Sequence, residues 1–246
     1  MRYSDPKKIT NQIYQVGGPT TSNRKDGIVY LLDLGELVLI DSGSGEGFKR
    51  IISNIESLGF DPADIETVIL THCHVDHAGG AHQFKSHFGS RIVMHHLDAQ
   101  IVERADFRLT AAFCFEVNFQ PLFVDTKLYG EKGKIKFKKQ ELSWLHTPGH
   151  SPGSISLYFD VEGIRILFVQ DISAPLLKEF DCDPNAWLQS VDKLLGTNAD
   201  VLCDGHSGAY HPGNVVKGYL QYCIDCLLYT SPSPRDRTRS RMPSSA

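Results

Sequence analysis

Two hydrophobic periods alternate along this chain, and the switches between them mark out its elements. Leu37-Val38-Leu39-Ile40 and Thr67-Val68-Ile69-Leu70 are short apolar runs rich in β-branched residues. That is the pattern of strands buried on both faces. Ile9 to Val16 and Ile28 to Leu34 alternate imperfectly and are expected as strands, the second turning through Gly35-Glu36 into Leu37 as a hairpin. Phe48, Ile51, Ile52, Ile55 and Leu58 recur at helical spacing, with Lys49, Arg50 and Glu56 opposite and Gly59 as a stop. Ala81 to Phe88 and Leu97 to Ala105 are expected as helices flanking a strand from Arg91 to His95.

The pattern then repeats. Ser154 to Phe159 and Gly163 to Val169 form a second expected hairpin through Asp160-Val161-Glu162. A helix is marked by Ala186, Leu188, Val191, Leu194 and Leu195 and ended by Gly196, a strand by Asp200 to Cys203, and a last helix begins near Val215. Strands, helix and polar strand ends thus occur twice in succession. Between the halves, Asp106 to Gly130 has no clear period and holds Phe107, Phe113, Phe115, Phe119 and Phe123, which are expected mainly as core filling. Lys132, Lys134, Lys136 and Lys138 alternate with small or apolar residues, as lysines guarding an edge strand do. The flexible Gly43, Gly45, Gly47 loop lacks the lysine and spacing of a phosphate-binding loop and is expected as a strand-to-helix turn.

Composition narrows the class. At 246 residues and 41% hydrophobic, the chain can bury a full core in one domain. The net charge of −4 suggests neither a nucleic-acid nor a membrane partner, and no apolar run approaches the roughly 20 residues of a bilayer span. Six scattered cysteines and the absence of a signal-like start point to reduced thiols and a cytoplasmic protein. From Cys226 onward the composition changes to Ser, Pro and Arg. This stretch resembles the in-frame translation of a sequencing-library adapter, two constant blocks around a short index, more than a natural disordered tail. The expected division is therefore a domain over 1–225, cut short at its C-terminus, and a disordered tail over 226–246. The tail holds four arginines and one aspartate, which leaves the body at −7.

The chemistry is concentrated in Thr71-His72-Cys73-His74-Val75-Asp76-His77-Ala78-Gly79-Gly80. A lone histidine would read as an ordinary polar residue, but here four metal-capable side chains fall within six positions. His72 and His74, two apart, can point the same way from an extended backbone, and Asp76 and His77 follow once the chain has begun to turn. Imidazoles with carboxylates suit zinc, iron or manganese rather than calcium or magnesium. Cys73 lies on the opposite face of the extended run and is expected as inert packing, like Cys203. His82, His87, His95 and His96 are expected to be ordinary surface residues or neighbours of the ligands.

The run resembles the H-x-H-x-D-H signature of the metallo-β-lactamase-fold superfamily. Other landmarks occur in order: Asp41 after Leu37 to Ile40, His150 in Thr147-Pro148-Gly149-His150-Ser151-Pro152-Gly153, Asp171 after Ile166 to Gln170, and His206 in Cys203-Asp204-Gly205-His206. The resemblance spans about Ile13 to Gly208 and is specific for the fold, less so for substrate. It implies an α/β fold of αββα type, two sheets between helices. It implies that His72, His74 and His150 hold one metal and Asp76, His77 and His206 a second, with Asp171 bridging, most naturally as two zinc ions, with iron or manganese as alternatives. Asp76 would be the catalytic residue that orients water. Lactamase-type members usually carry cysteine or serine in place of Asp171. The aspartate points to the glyoxalase II-like, lactonase and RNA-processing branches. Lactonases often carry a tyrosine where this chain has Ala174, and the charge of the body argues against RNA. The expectation is a hydrolase of a small thioester, ester or lactone, with small-molecule substrates and an open oligomeric state. The alternatives are an iron redox enzyme of oxygenase or dioxygenase type, or a phosphodiesterase or RNA-processing hydrolase.

Overall fold

The structure is a computed structural model describing residues 3–169, 171–173 and 175–230, with side chains to 227. The first sheet opens with β1 (Lys7–Lys8), β2 (Ile13–Gly17), β3 (Val29–Asp33) and β4 (Leu37–Ile40), all antiparallel. Helix α1 (Phe48–Ser57) returns the chain to β5 (Ile65–Ile69), which lies parallel to β4. A four-residue turn of helix, α2 (Val75–Ala78), then leads into α3 (Ala81–Phe88) and β6 (Arg91–His95). Helix α4 (His96–Glu103), the short α5 (Ala112–Phe115) and β7 (Thr126–Leu128) finish this half. The sheet order is β1 through β7 without a crossover.

The second sheet comprises β8 (Lys132–Lys136), β9 (Glu141–His146), β10 (Ile155–Val161), β11 (Ile164–Phe168), β12 (Val201–Asp204) and β13 (Gly208–Tyr210), in the order β13-β12-β11-β10-β9-β8. Helix α6 (Pro184–Leu195) connects β11 to its parallel partner β12, and α7 (Gly213–Thr230) follows β13. Asp183 caps α6, its carboxylate accepting from the amides of Asn185 and Ala186, and Pro184 takes the first helical position, where no donor is needed.

Alternation along the strands builds the layers. Tyr30, Leu32, Val38 and Ile40 point toward the second sheet and meet Leu142, Trp144, Leu157, Ile166 and Phe168. Their neighbours Leu31 and Leu39 point outward onto Ile51 and Ile55 of α1 and Phe84 of α3. On the far side, Leu167, Val169 and Leu202 meet Trp187, Val191 and Leu194 of α6 and Val216 and Leu220 of α7. Three apolar seams between four layers make the αββα sandwich. No helix among the described residues is long and apolar enough to cross a membrane.

Several expectations are corrected. The strand expected from Ile9 begins at Ile13, as β2, because the backbone from Ile9 to Gln12 turns back on itself, the Ile9 amide bonding the Ile13 carbonyl. Phe119 is buried and Phe115 packs on the core, but Phe107, Phe113 and Phe123 are exposed, so only part of that aromatic content fills the core. His95 is buried and stacks on His146 with centroids 4.1 Å apart. Helix α7 runs past the expected boundary at Asp225 to Thr230, since Cys223 and Leu227, four apart, continue its apolar face. Ala174 and residues 231–246 of the tail lie outside the described residues. The lysine strand is an edge, as its pattern requires: β8 closes the second sheet and Lys134 pairs with Glu141 at 2.7 Å.

Because Leu220 is fully enclosed between α7 and the second sheet, Leu220→Ala is expected to cost about 2–5 kcal/mol. Urea unfolding monitored by circular dichroism measures this. A loss below half a kcal/mol would place the helix off the sheet.

Candidate metal centre

Strand ends of both sheets converge at one rim. Strands β4 and β5 deliver Asp41 and the run from Thr71, β9 delivers the loop to His150, β11 is followed by Asp171, and β12 by His206. Open α/β sheets place their sites outside such carboxyl ends. Backbone bonds join the halves there: the Ile155 amide donates to the Thr71 carbonyl at 2.9 Å and Ile28 to Gly205 at 2.7 Å, while Gly27 donates to Asp76 at 2.9 Å within the first half.

Seven side chains form two clusters that share Asp171. His72, His74, His150 and Asp171 make the first; Asp76, His77, Asp171 and His206 make the second; within each, one ligand atom per residue lies within 4.8 Å of every other. His74 Nδ1 faces His150 Nε2 at 2.9 Å, and His150 Nε2 lies 3.4 Å and His72 Nε2 3.8 Å from Asp171 Oδ2. In the second cluster His77 Nε2 lies 3.1 Å from Asp171 Oδ1, 3.3 Å from His206 Nε2 and 3.4 Å from Asp76 Oδ2. His206 Nε2 is 2.9 Å from Asp171 Oδ2. Tetrahedral ligands about 2.1 Å from a zinc ion stand about 3.4 Å from one another, so these spacings match a metal's first sphere. All seven residues that were expected as ligands are brought together.

Each ring is aimed by what holds its other side. His77 Nδ1 lies 2.8 Å from Asp41 Oδ2. A carboxylate only accepts, so Nδ1 donates and Nε2 turns into the cluster. Asp41 is itself fixed in a left-handed backbone (φ 60°) by the Thr71 amide and hydroxyl. The Thr71 hydroxyl also contacts His72 Nδ1 at 3.0 Å, leaving His72 Nε2 buried with no hydrogen-bond partner and free to bind a cation. Gly149 (φ 133°) makes the turn before His150. A side chain there would strike the Trp187 backbone at 2.4 Å.

Burial dominates the electrostatics. It depresses His72 and His74, the latter to about 3, which keeps both rings neutral as metal ligands must be. Burial also lowers His77, but Asp171, Asp76 and Asp41 outweigh it and hold its proton on well above the usual range. That negative potential is what a divalent cation would meet. Burial alone would raise Asp171, yet His77 and His206 keep it ionised, well below the usual carboxylate range.

Two buried carboxylates in the surrounding shell were not apparent from the chain's pattern. Asp98 accepts from the Cys73 amide at 2.9 Å, the Ser151 hydroxyl at 2.6 Å and the Gly153 amide at 2.6 Å, lashing the first ligand loop to the one carrying His150. Its only sequence signal is an acid on the helix face of Ile101 and Val102, both buried. Asp26 accepts from Ser22 and from the Ser44 amide and hydroxyl. The glycine-rich loop thus closes around a carboxylate of the chain, as befits a turn and not a phosphate cradle. Cys73 and Cys203 are buried and their thiols pushed up by desolvation, consistent with inert packing.

At the surface, His206 is the exposed member, its side chain 37% accessible against 5% or less for Asp76, Asp171, His72, His77 and His150. A cavity of about 670 Å³ opens against it, lined by Ser4, Lys7, Gln15, Thr21 and Ser207 among others.

Residues 27–206 match the family model described as the Metallo-beta-lactamase superfamily. The hydroxyacylglutathione hydrolase GloC of Haemophilus influenzae is 31% identical over 199 residues, covering 78% of this chain and 89% of that protein. The probable metallo-hydrolase YflN of Bacillus subtilis is 27% identical over 197 residues, covering 69% of this chain and 74% of its own. Among solved structures, the native FEZ-1 metallo-beta-lactamase from Legionella gormanii superposes with a TM-score of 0.80 at 18% identity, covering 93% and 95% of the two chains.

Because Asp41 reaches the centre through His77 and, by way of Thr71, through His72, Asp41→Asn is expected to lower metal affinity about 10–100-fold while leaving the fold intact. Competition against a chromogenic chelator reads the affinity and the melting curve reads the fold. Unchanged affinity would mean that the ring is aimed by its packing alone.

Proposed function

The chain belongs to the metallo-beta-lactamase superfamily and is a metal-dependent hydrolase, and we propose that it cleaves a small thioester, ester or lactone with two zinc ions. The observation that carries this reading is the pair of clusters sharing one carboxylate. In it, His72, His74 and His150 would hold one ion and Asp76, His77 and His206 the other, with Asp171 common to both clusters. When bound, such a pair supplies Lewis-acid polarisation of the substrate carbonyl and acidifies the attacking water.

The chain's own groups do the rest. Asp76 is buried, and its Oδ2 lies 3.4 Å from both His77 Nε2 and His206 Nε2. His77 and His206 draw its proton off and hold it below the ordinary carboxylate range against the cost of burial. An ionised acceptor at that point orients the attacking water and passes its proton toward the leaving group. No serine or cysteine nucleophile is required, and the buried thiol of Cys73 points away from the centre toward the Leu109 carbonyl. Burial of the clusters excludes bulk water from every ligand except His206, which strengthens the electrostatics of the site.

A cavity of about 670 Å³ meets the site at His206, the one ligand in its lining, and the net charge of −4 disfavours a polyanion such as RNA. The similarity to a hydroxyacylglutathione hydrolase supports thioester cleavage, as does the aspartate at position 171.

Purified protein is expected to carry about two equivalents of zinc and to hydrolyse thioesters or activated esters. Elemental analysis with a panel of thioester, ester, lactone and phosphodiester substrates decides this. Activity confined to phosphodiesters would overturn the assignment. Asp171→Ala is expected to lose one equivalent and lower kcat/KM by at least about 100-fold. Retention of both ions with full turnover would remove Asp171 from the bridging role.

A further inference from the structure

Aromatic rings run from a ligand histidine out to the surface. The Phe180 ring stands edge-on to His74 with centroids 5.3 Å apart, Phe113 lies 5.9 Å beyond it, and Phe107 lies 6.0 Å beyond Phe113. Exposure rises along the line, from 9% at Phe180 to 42% at Phe113 and 61% at Phe107. Leu177 stands exposed in the same loop as Phe180. Isolated exposed apolar residues are ordinary, but a contiguous strip rooted at a buried polar centre marks a binding surface.

The strip is held in place rather than merely left over. Its rings come from two segments far apart in sequence, 107–113 and 177–180. A forked ion pair binds them: Arg108 Nη1 and Nη2 reach Asp181 Oδ1 and Oδ2 at 2.9 and 3.0 Å, and Nη1 also donates to the Glu179 carbonyl at 2.6 Å. The turn carrying Phe113, α5, is bounded by two left-handed residues without glycine's freedom, Ala111 (φ 56°) and Glu116 (φ 52°). Asp181 (φ 57°) is a third. Such conformations cost energy and persist where the surroundings impose them, commonly around sites. The segment buries Ala112 and packs Phe115 on the core, yet Phe107 and Phe113 remain in water.

We propose that this strip is the acyl-binding wall of the hydrolase, and that the substrate class is esters or thioesters of apolar acids, linear or aryl, rather than of short polar ones. The inference rests on the hydrolase reading above and deepens it. The scissile carbonyl sits over the clusters, and the apolar chain lies outward from His74 across Phe180, Phe113 and Phe107. A stem of four to six carbons covers one ring spacing, from Phe180 to Phe113, and only a longer chain reaches Phe107.

The test measures binding as well as turnover. Acetate, butyrate, hexanoate and phenylacetate, the products of such hydrolysis, are titrated into zinc-loaded protein by calorimetry. Affinity is expected to rise about threefold to fourfold per methylene, and the hexanoate-to-acetate ratio to fall at least tenfold in the Phe107→Ala, Phe113→Ala double variant, with metal content and melting temperature retained. A ratio that is flat in the parent protein, or unchanged in the variant, overturns the wall. If the products discriminate but no ester or thioester is turned over, the wall stands and the reaction assignment falls. Concentration-dependent dimers in sedimentation that Phe107→Ser dissolves would show that a second copy covers the strip, and that outcome also overturns the proposal.

Discussion

Burying Asp41, Asp76 and Asp171 around one imidazole is the constraint on which the rest of this structure depends. Three carboxylates out of water beside His77 would be untenable if left to one another, because each ion removed from solvent costs several kcal/mol before any partner is counted. The rim is therefore shaped to surround them with donors and to leave room for cations. Asp41 is saturated by Thr71 and His77, Asp171 lies among His72, His77, His150 and His206, and the remaining lone pairs point into the two clusters. A metal pair would neutralise the site at once. Metal affinity and folding stability are consequently linked here, since the unfolded chain has no such arrangement of ligands.

The sandwich supplies what that rim requires. Neither sheet holds a complete ligand set: the first brings His72, His74, Asp76 and His77, the second His150, Asp171 and His206. The apolar seam between the sheets fixes their separation, and the backbone bonds from Ile155 to Thr71 and from Ile28 to Gly205 fix their register at the rim. Asp98 adds a third tie, from α4 to both ligand loops. A disturbance of the inter-sheet core would thus reach the metal centre as a change in spacing between halves rather than as loss of any one ligand.

How much of this could be read in the chain follows from the range of each interaction. Four ligands declare themselves because they fall within six residues at a strand end, and the strands because their apolar periods are local. His150, Asp171 and His206 needed the resemblance of whole motifs, since nothing nearby in sequence marks an isolated histidine or aspartate as a ligand. Asp98 and Asp26 escaped notice because their partners are distant: Ser151 lies 53 residues from Asp98 and Ser44 lies 18 from Asp26. The phenylalanines of 107–123 misled for another reason. Composition states that an aromatic residue gains by burial, but only the fold decides which are received: Phe119 enters the core and Phe115 packs on it, while Phe107, Phe113 and Phe123 do not.

The site's two flanks are chemically unlike, and this bears on how a substrate would lie. Beyond His74 the surface is aromatic, Phe180 backing the ring and Phe113 and Phe107 continuing outward. Beyond His206 lies a mixed cavity, with Lys7, Gln15 and Ser207 beside Pro6, Ile28 and Ala209 in its lining. His206 is also the exposed ligand. In the proposed reading, a molecule with one apolar and one polar half can satisfy both flanks in a single orientation. The reversed pose would lay an alkyl or aryl group against lysine and hydroxyls, and a polar group against bare rings. Part of the selectivity then comes from the penalty on the wrong orientation, as in other sites that discriminate by leaving mismatched groups unpaired. With the acyl group held over His74, the scissile bond falls above the shared Asp171 and the departing half faces the cavity. In that reading the leaving group lies beside the exposed His206, on the side away from the aromatic strip.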